Sequence, residues 1–130
     1  MEEELKYLVL GYRKHTGKTQ AELARELEIP LQIVVALELG SYRHPTQVLQ
    51  AKIKDLTSQF DHEDLMYLGR GYRIREELGP DFKYFLRGLE EASGISPDEL
   101  RKMHGEECLR TIGSVDMDEF EVVLLGRSIQ

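Results

Sequence analysis

Gly17-Lys18-Thr19 is the first place where residue types and spacing suggest chemistry, because it looks like the end of a phosphate-cradling loop. Such a loop needs a glycine five residues before Gly17. Tyr12 stands there, and Gly11 is one residue off. No strand pattern precedes it, so nucleotide binding is set aside. His104 and Cys108 stand at i and i+4 and could share a helix face. Two ligands do not complete a zinc site, and no matching pair lies elsewhere. An ordinary histidine and a cysteine on an apolar face are the better reading. His62-Glu63-Asp64 reads as a helix start. No nucleophile has a recognisable base and oxyanion arrangement. The expectation is therefore no enzyme, no cofactor and no metal. What remains is a set of polar and cationic residues around one short stretch: Lys18, Gln20, Gln32, Tyr42 and Arg43.

The elements that must position them are helices, so the fold class is all-α. Thr19 to Gly40 reads as two short helices, about Thr19 to Leu27 and Pro30 to Leu39, joined by a tight turn. Thr19 with Glu22 three residues on makes the reciprocal capping-box pattern. Ala24 is small where a second helix must cross closely. Ile29 should point inward, Val34 and Leu37 should face one core, and Gly40 should close the second helix. Upstream, residues 3–15 read as a first helix with Leu5, Leu8, Val9 and Tyr12 on one face. Downstream, Thr46 can cap a fourth helix to about Thr57, with Val48, Leu49, Ile53 and Leu56 buried.

Tyr12-Arg13-Lys14, Thr19-Gln20, Glu22-Leu23-Ala24, Glu38-x-Gly40 and Pro45 fall at a consistent spacing over about Leu5 to Leu56. With these residues the chain resembles the Xre-type (lambda-repressor/Cro-like) helix-turn-helix family. The resemblance implies a DNA-binding transcription regulator, repressor-like and cytoplasmic. The 30–39 helix would enter the major groove of double-stranded DNA. It implies that Gln20 grips phosphate and that Leu31, Gln32, Val35 and Ala36 occupy the reading positions. Glu38 would be a structural ion-pair partner for Arg13. Tyr42 and Arg43 would approach the backbone, with Lys14 and Lys18 flanking. Such proteins act as dimers on paired half-sites, so a homodimer is expected.

The chain departs from the family at the reading positions. Base edges are recognised by donors and acceptors, yet this helix offers Leu31, Gln32, Ile33, Val35, Ala36 and Leu39. Only Gln32 can make the bidentate contact to adenine. Apolar side chains can touch thymine methyls, which leaves A·T-biased reading open. A surface of this kind also marks a site for a protein partner. The second reading is therefore an interaction module, such as an adaptor, antitoxin or anti-repressor, that no longer reads DNA.

Charge separates the two halves. The chain carries −7 overall. Residues 1–60 hold 8 Lys+Arg against 8 Asp+Glu, and residues 61–130 hold 9 against 16, so the second half carries the whole excess. The first half can meet phosphate; the acidic half cannot unless its basic residues cluster on one side. One cysteine excludes an internal disulfide framework. No apolar run is long enough to span a membrane, and the three glutamates after Met1 do not make a signal segment.

The second half opens on an echo. Residues 65–73, LMYLGRGYR, match residues 5–13, LKYLVLGYR, at six of nine positions. Leu89, Ile95, Leu100 and Met103 then mirror Leu23, Ile29, Val34 and Leu37 at one constant offset. The expected division is a helix-turn-helix domain over 1–58 and an acidic helical domain over 63–130. The latter reads as a diverged repeat over 63–126, used for packing or dimerisation. Its helices are expected over Pro80 to Ser93 (Phe82, Phe85, Leu86 and Leu89 on one face), from the Ser96 cap, and over Met117 to Gly126. The last would be capped by Asp116, with Phe120, Val123 and Leu124 apolar; a strand through Val122 to Leu125 is the alternative.

Overall fold

Capping chemistry and apolar spacing give the computed structural model its helices, and among the described residues no strand forms. Residues 2–42 and 44–129 are described, with the side chains of 2–4 excepted. Two units form, Met1–Gly69 and Arg70–Gln130.

The first unit begins with α1, Glu2–Thr16. Leu8, Val9 and Tyr12 are buried, with Leu5 packed against the same core. Helix α2 is Gln20–Leu27, and its cap is the reciprocal one that Thr19 and Glu22 can make. The Thr19 hydroxyl accepts from the Glu22 N–H at 3.1 Å, and the Glu22 carboxylate accepts from the Thr19 N–H at 3.2 Å. Glu28, not a glycine, ends α2 in the left-handed conformation at φ 58°. Its N–H still reaches the α2 carbonyls. Helix α3, Leu31–Leu39, starts at Pro30 and is closed by Gly40 at φ 77°. Helix α4, Gln47–Leu56, is capped by the Thr46 hydroxyl. Leu23, Ala24, Leu27, Val34, Leu37, Leu49 and Ile53 share one core with the buried side of α1. Val48 does not join it. At 68 % exposure it lies on the open side of α4, because burial on this short helix follows the narrower Leu49–Ile53 stripe.

The capping box leaves a titration signature. Hydrogen bonds from the Thr19 backbone and then its side chain hold the Glu22 carboxyl below the ordinary glutamate range. A carboxylate with a lowered value stabilises above its unfolded value and loses that contribution as pH falls through the lowered one. Carboxyl NMR should give Glu22 a midpoint below that of a free glutamate, and Thr19→Ala, which removes the hydroxyl but keeps the backbone N–H, should return it only part of the way. A midpoint at or above the free value in the native chain would refute the box.

Helix α5, His62–Leu78, holds the division between the two units, which falls at Gly69/Arg70. Its first half packs on α1 at unusually close range. Gly11 faces the Leu65 carbonyl and Gly69 faces the Tyr7 carbonyl, so each glycine admits the other helix's backbone.

In the second unit a 3₁₀ turn over Gly79–Asp81 leads into α6, Phe82–Ser93, ended by Gly94 at φ 78°. Helix α7, Pro97–Lys102, has the expected Ser96 cap on the Glu99 N–H. Helix α8, Glu106–Gly113, has no counterpart in the sequence expectations. It begins after Gly105 at φ 56°, which places His104 outside the helix that holds Cys108. The two therefore share no helix face. Helix α9, Glu119–Ser128, is capped by Asp118, not Asp116. The Asp118 carboxylate accepts from the Phe120 and Glu121 N–H groups at 2.9 and 3.2 Å, a reach that Asp116 lacks from two residues further back. The shifted start leaves Phe120 and Leu124 exposed at 58 % and 63 %. Val122, Val123 and Gly126 turn inward instead. Here too glycines set the packing: Gly88 faces the Val122 carbonyl and Gly126 the Tyr84 carbonyl. Arg70 holds the segment between α8 and α9, donating to the Gly113 carbonyl at 3.1 Å, to Met117 at 2.7 Å and to Val115. Among the described residues no helix is long and apolar enough to cross a membrane.

Candidate functional site

The residues singled out for phosphate or base contact lie on α2, on α3 and in the segments beside them. Position begins with Arg13, in the last turn of α1. Its guanidinium meets Glu38 of α3 in a two-point bond, Nε to Oε2 at 2.6 Å and Nη2 to Oε1 at 2.9 Å. Nη1 donates to the Lys18 carbonyl at 3.3 Å. The Glu38 side chain is only 4 % exposed and Arg13 13 %. Planar two-point pairing of this kind fixes orientation as well as distance.

Gln20 enters the same cluster. Its Nε2 donates to Glu38 Oε1 at 3.1 Å. One carboxylate thereby ties the end of α1 and the start of α2 to α3. It also occupies the amide that the family resemblance assigns to phosphate. Lys18 is occupied as well. Its ammonium donates to the Tyr12 hydroxyl at 2.8 Å and to the Glu26 carboxylate. Those two hydrogen bonds, Glu26 first, hold Lys18 above the ordinary lysine value, so it stays charged but neutralised. Sequence spacing did not announce Glu26 or the Tyr12 hydroxyl in this role, since the partners come from two helices and the connecting turn.

The outer face of α3 is different. Leu31 and Leu39 are 45 % and 59 % exposed, and Gln32 is exposed. Val35 and Ala36 are half-buried, and Ile33 packs against the core. Helix α3 has no acidic residue in its first turn and no basic one in its last, and its one charge, Glu38, is buried. Tyr42 is half-buried against the same core. Arg43 lies outside the described residues. The reading positions thus offer one amide and several apolar groups.

Among the described residues no group of three or more histidine, cysteine or carboxylate side chains could hold a metal ion. Cys108 is half-buried, and burial pushes its thiol up, away from a reactive thiolate. No family model matches the chain, and no curated protein or solved structure matches it. What the site can do is therefore argued from its own side chains.

Proposed function

We propose that the chain is an Xre-like helix-turn-helix regulator that binds double-stranded DNA, with α3 in the major groove and a homodimer as the binding form. The support is the brace of Arg13, Gln20 and Glu38, which holds α3 by its inner side while its outer side stays exposed. In that arrangement Gln32 is the side chain that can take adenine by a two-point bond. Leu31, Val35 and Ala36 would meet thymine methyls, which predicts A·T-rich sites. Transcriptional repression would follow from operator occupancy.

A specific observation favours a second reading. Lys18 and Gln20 are engaged within the protein, and Leu31 and Leu39 leave an apolar face open. That combination suits a protein partner better than a phosphate backbone. A salt series on genomic fragments separates the two. The regulator reading expects affinity to fall steeply and linearly on a log–log plot against salt. Gln32→Ala should cost about 1–3 kcal/mol at A·T sites, the usual worth of a two-point base contact. No binding at low salt would sink DNA reading and leave the interaction module.

A further inference from the structure

The acidic second unit gathers three of its cations around one ring. Lys83 Nζ lies 5.0 Å from the Tyr84 ring centroid, the Arg87 guanidinium 6.0 Å and the Arg127 guanidinium 5.4 Å. Lys83, Tyr84 and Arg87 come from α6, and Arg127 from α9. The close crossing at Gly88 and Gly126 brings the two helices together here. Lys83, Arg87 and Arg127 are exposed, and Tyr84 is half-buried. Arg127 also pairs with Asp81 at 2.9 Å. Lys83 and Arg87 have no carboxylate within ion-pair distance among the described residues.

The charges on α6 run against its own dipole. A helix is stabilised by acids in its first turn and bases in its last. Here Lys83 sits in the first turn and Glu90 and Glu91 in the last, while the first turn holds no acid and the last no base. Helix stability does not account for that order. It does add the positive end of a twelve-residue helix to the side-chain cations and takes Glu90 and Glu91 to the opposite end, while Asp81 at the N-cap stays beside Arg127. In a half of net charge −7 the patch is a local reversal of sign.

We infer that the α6–α9 surface of Lys83, Arg87 and Arg127 around Tyr84 is a contact site for a nucleic-acid phosphate backbone, separate from α3. The Arg87 guanidinium suits phosphate oxygens by two-point bonding, Lys83 supplies a point charge, and Arg127 adds a guanidinium that it shares with Asp81. All three sit near one centroid, so they span no more than a few neighbouring phosphates. Phosphate contacts of this kind strengthen binding at every sequence and fix no base. The surface does not depend on base reading by α3.

The test is anisotropy of the full chain with a labelled mixed-sequence duplex over a salt series, comparing the native protein with Lys83→Gln/Arg87→Gln. Both positions are exposed, and an unchanged thermal melt shows that the variant folds. Weaker binding is expected at every sequence, with a log–log salt slope shallower by about two. Lys83→Arg should retain native binding. Unchanged affinity and slope in the double variant would overturn the proposal. So would binding to phosphatidylserine vesicles through these residues without binding to the duplex. Loss in the double variant, with no effect of Gln32→Ala on this duplex or on an A·T-rich one, would support this surface and remove base reading by α3. The reverse pattern would support α3 and remove this surface. No duplex binding by the native chain at low salt would remove both.

Discussion

Gly11→Ala is expected to destabilise the protein by about 3 kcal/mol, at the upper end of what overpacking costs, and Gly69→Ala by a similar amount. A methyl carbon built at Gly11 would lie 1.9 Å from the Leu65 carbonyl oxygen and 3.1 Å from the Gly69 nitrogen. One at Gly69 would lie 2.0 Å from the Tyr7 oxygen and 2.9 Å from the Gly11 nitrogen. The obstacles are backbone atoms on both sides, so no side chain can turn away to make room. Helices α1 and α5 would have to separate, and their dispersion contacts would weaken along the crossing. Glycine normally weakens a helix interior by comparison with alanine, so the sign of the effect tests the packing and not propensity. Urea unfolding followed by far-UV circular dichroism reads it. An unchanged or raised midpoint would show that the two helices do not meet in this way.

Glu38→Ala is expected to be the other large loss, about 3–5 kcal/mol. Removing the carboxylate leaves the Arg13 guanidinium, 13 % exposed, without its two-point partner, and leaves the Gln20 amide unpaired. Desolvation of an uncompensated charge dominates that cost. The pair itself is worth much less than its breakage suggests. Arg13→Met/Glu38→Leu, which removes both charges and keeps the volume, should therefore be close to neutral. The comparison of single and double variants by chemical denaturation distinguishes a brace from a spectator. A Glu38→Ala loss below that of an ordinary surface substitution, or a double variant as unstable as the single, would refute it. If α3 also carries function, Glu38→Ala should impair it in proportion to unfolding, because Glu38 is buried and faces away from the exposed side of the helix.

The start and stop of most helices were legible in the sequence. Thr19, Thr46, Ser96 and Gly40 act through hydrogen bonds or backbone conformations within a few residues of themselves, and each does so where the sequence placed it. The misses share a physical cause. Val48, Phe120 and Leu124 have the composition of core residues, but which side of a helix is buried depends on what packs on it. Asp116 and Asp118 are equally good caps on paper, and the packing of Val122 and Val123 selects the register that begins after Asp118. Helix α8 is not legible in the sequence because Gly105 and a short acidic run give a weak local signal.

The candidate site divides in the same way. Arg13 and Glu38 stand 25 residues apart, and it is the family resemblance that implies their pairing. Nothing in the spacing placed Glu26 against Lys18, or Arg127 beside Lys83 and Arg87, because those partners come from different helices. By itself the sequence determined an all-helical chain, its capped boundaries, the uneven charge of its halves and an apolar face on the 30–39 helix. These follow from interactions within one turn or from composition. Only the tertiary structure decided that Lys18 and Gln20 are engaged internally, that paired glycines let helices touch backbone to backbone, and that cations of an acidic half converge on Tyr84. Each of those depends on distances between residues far apart in the chain, which close packing sets and local sequence does not encode.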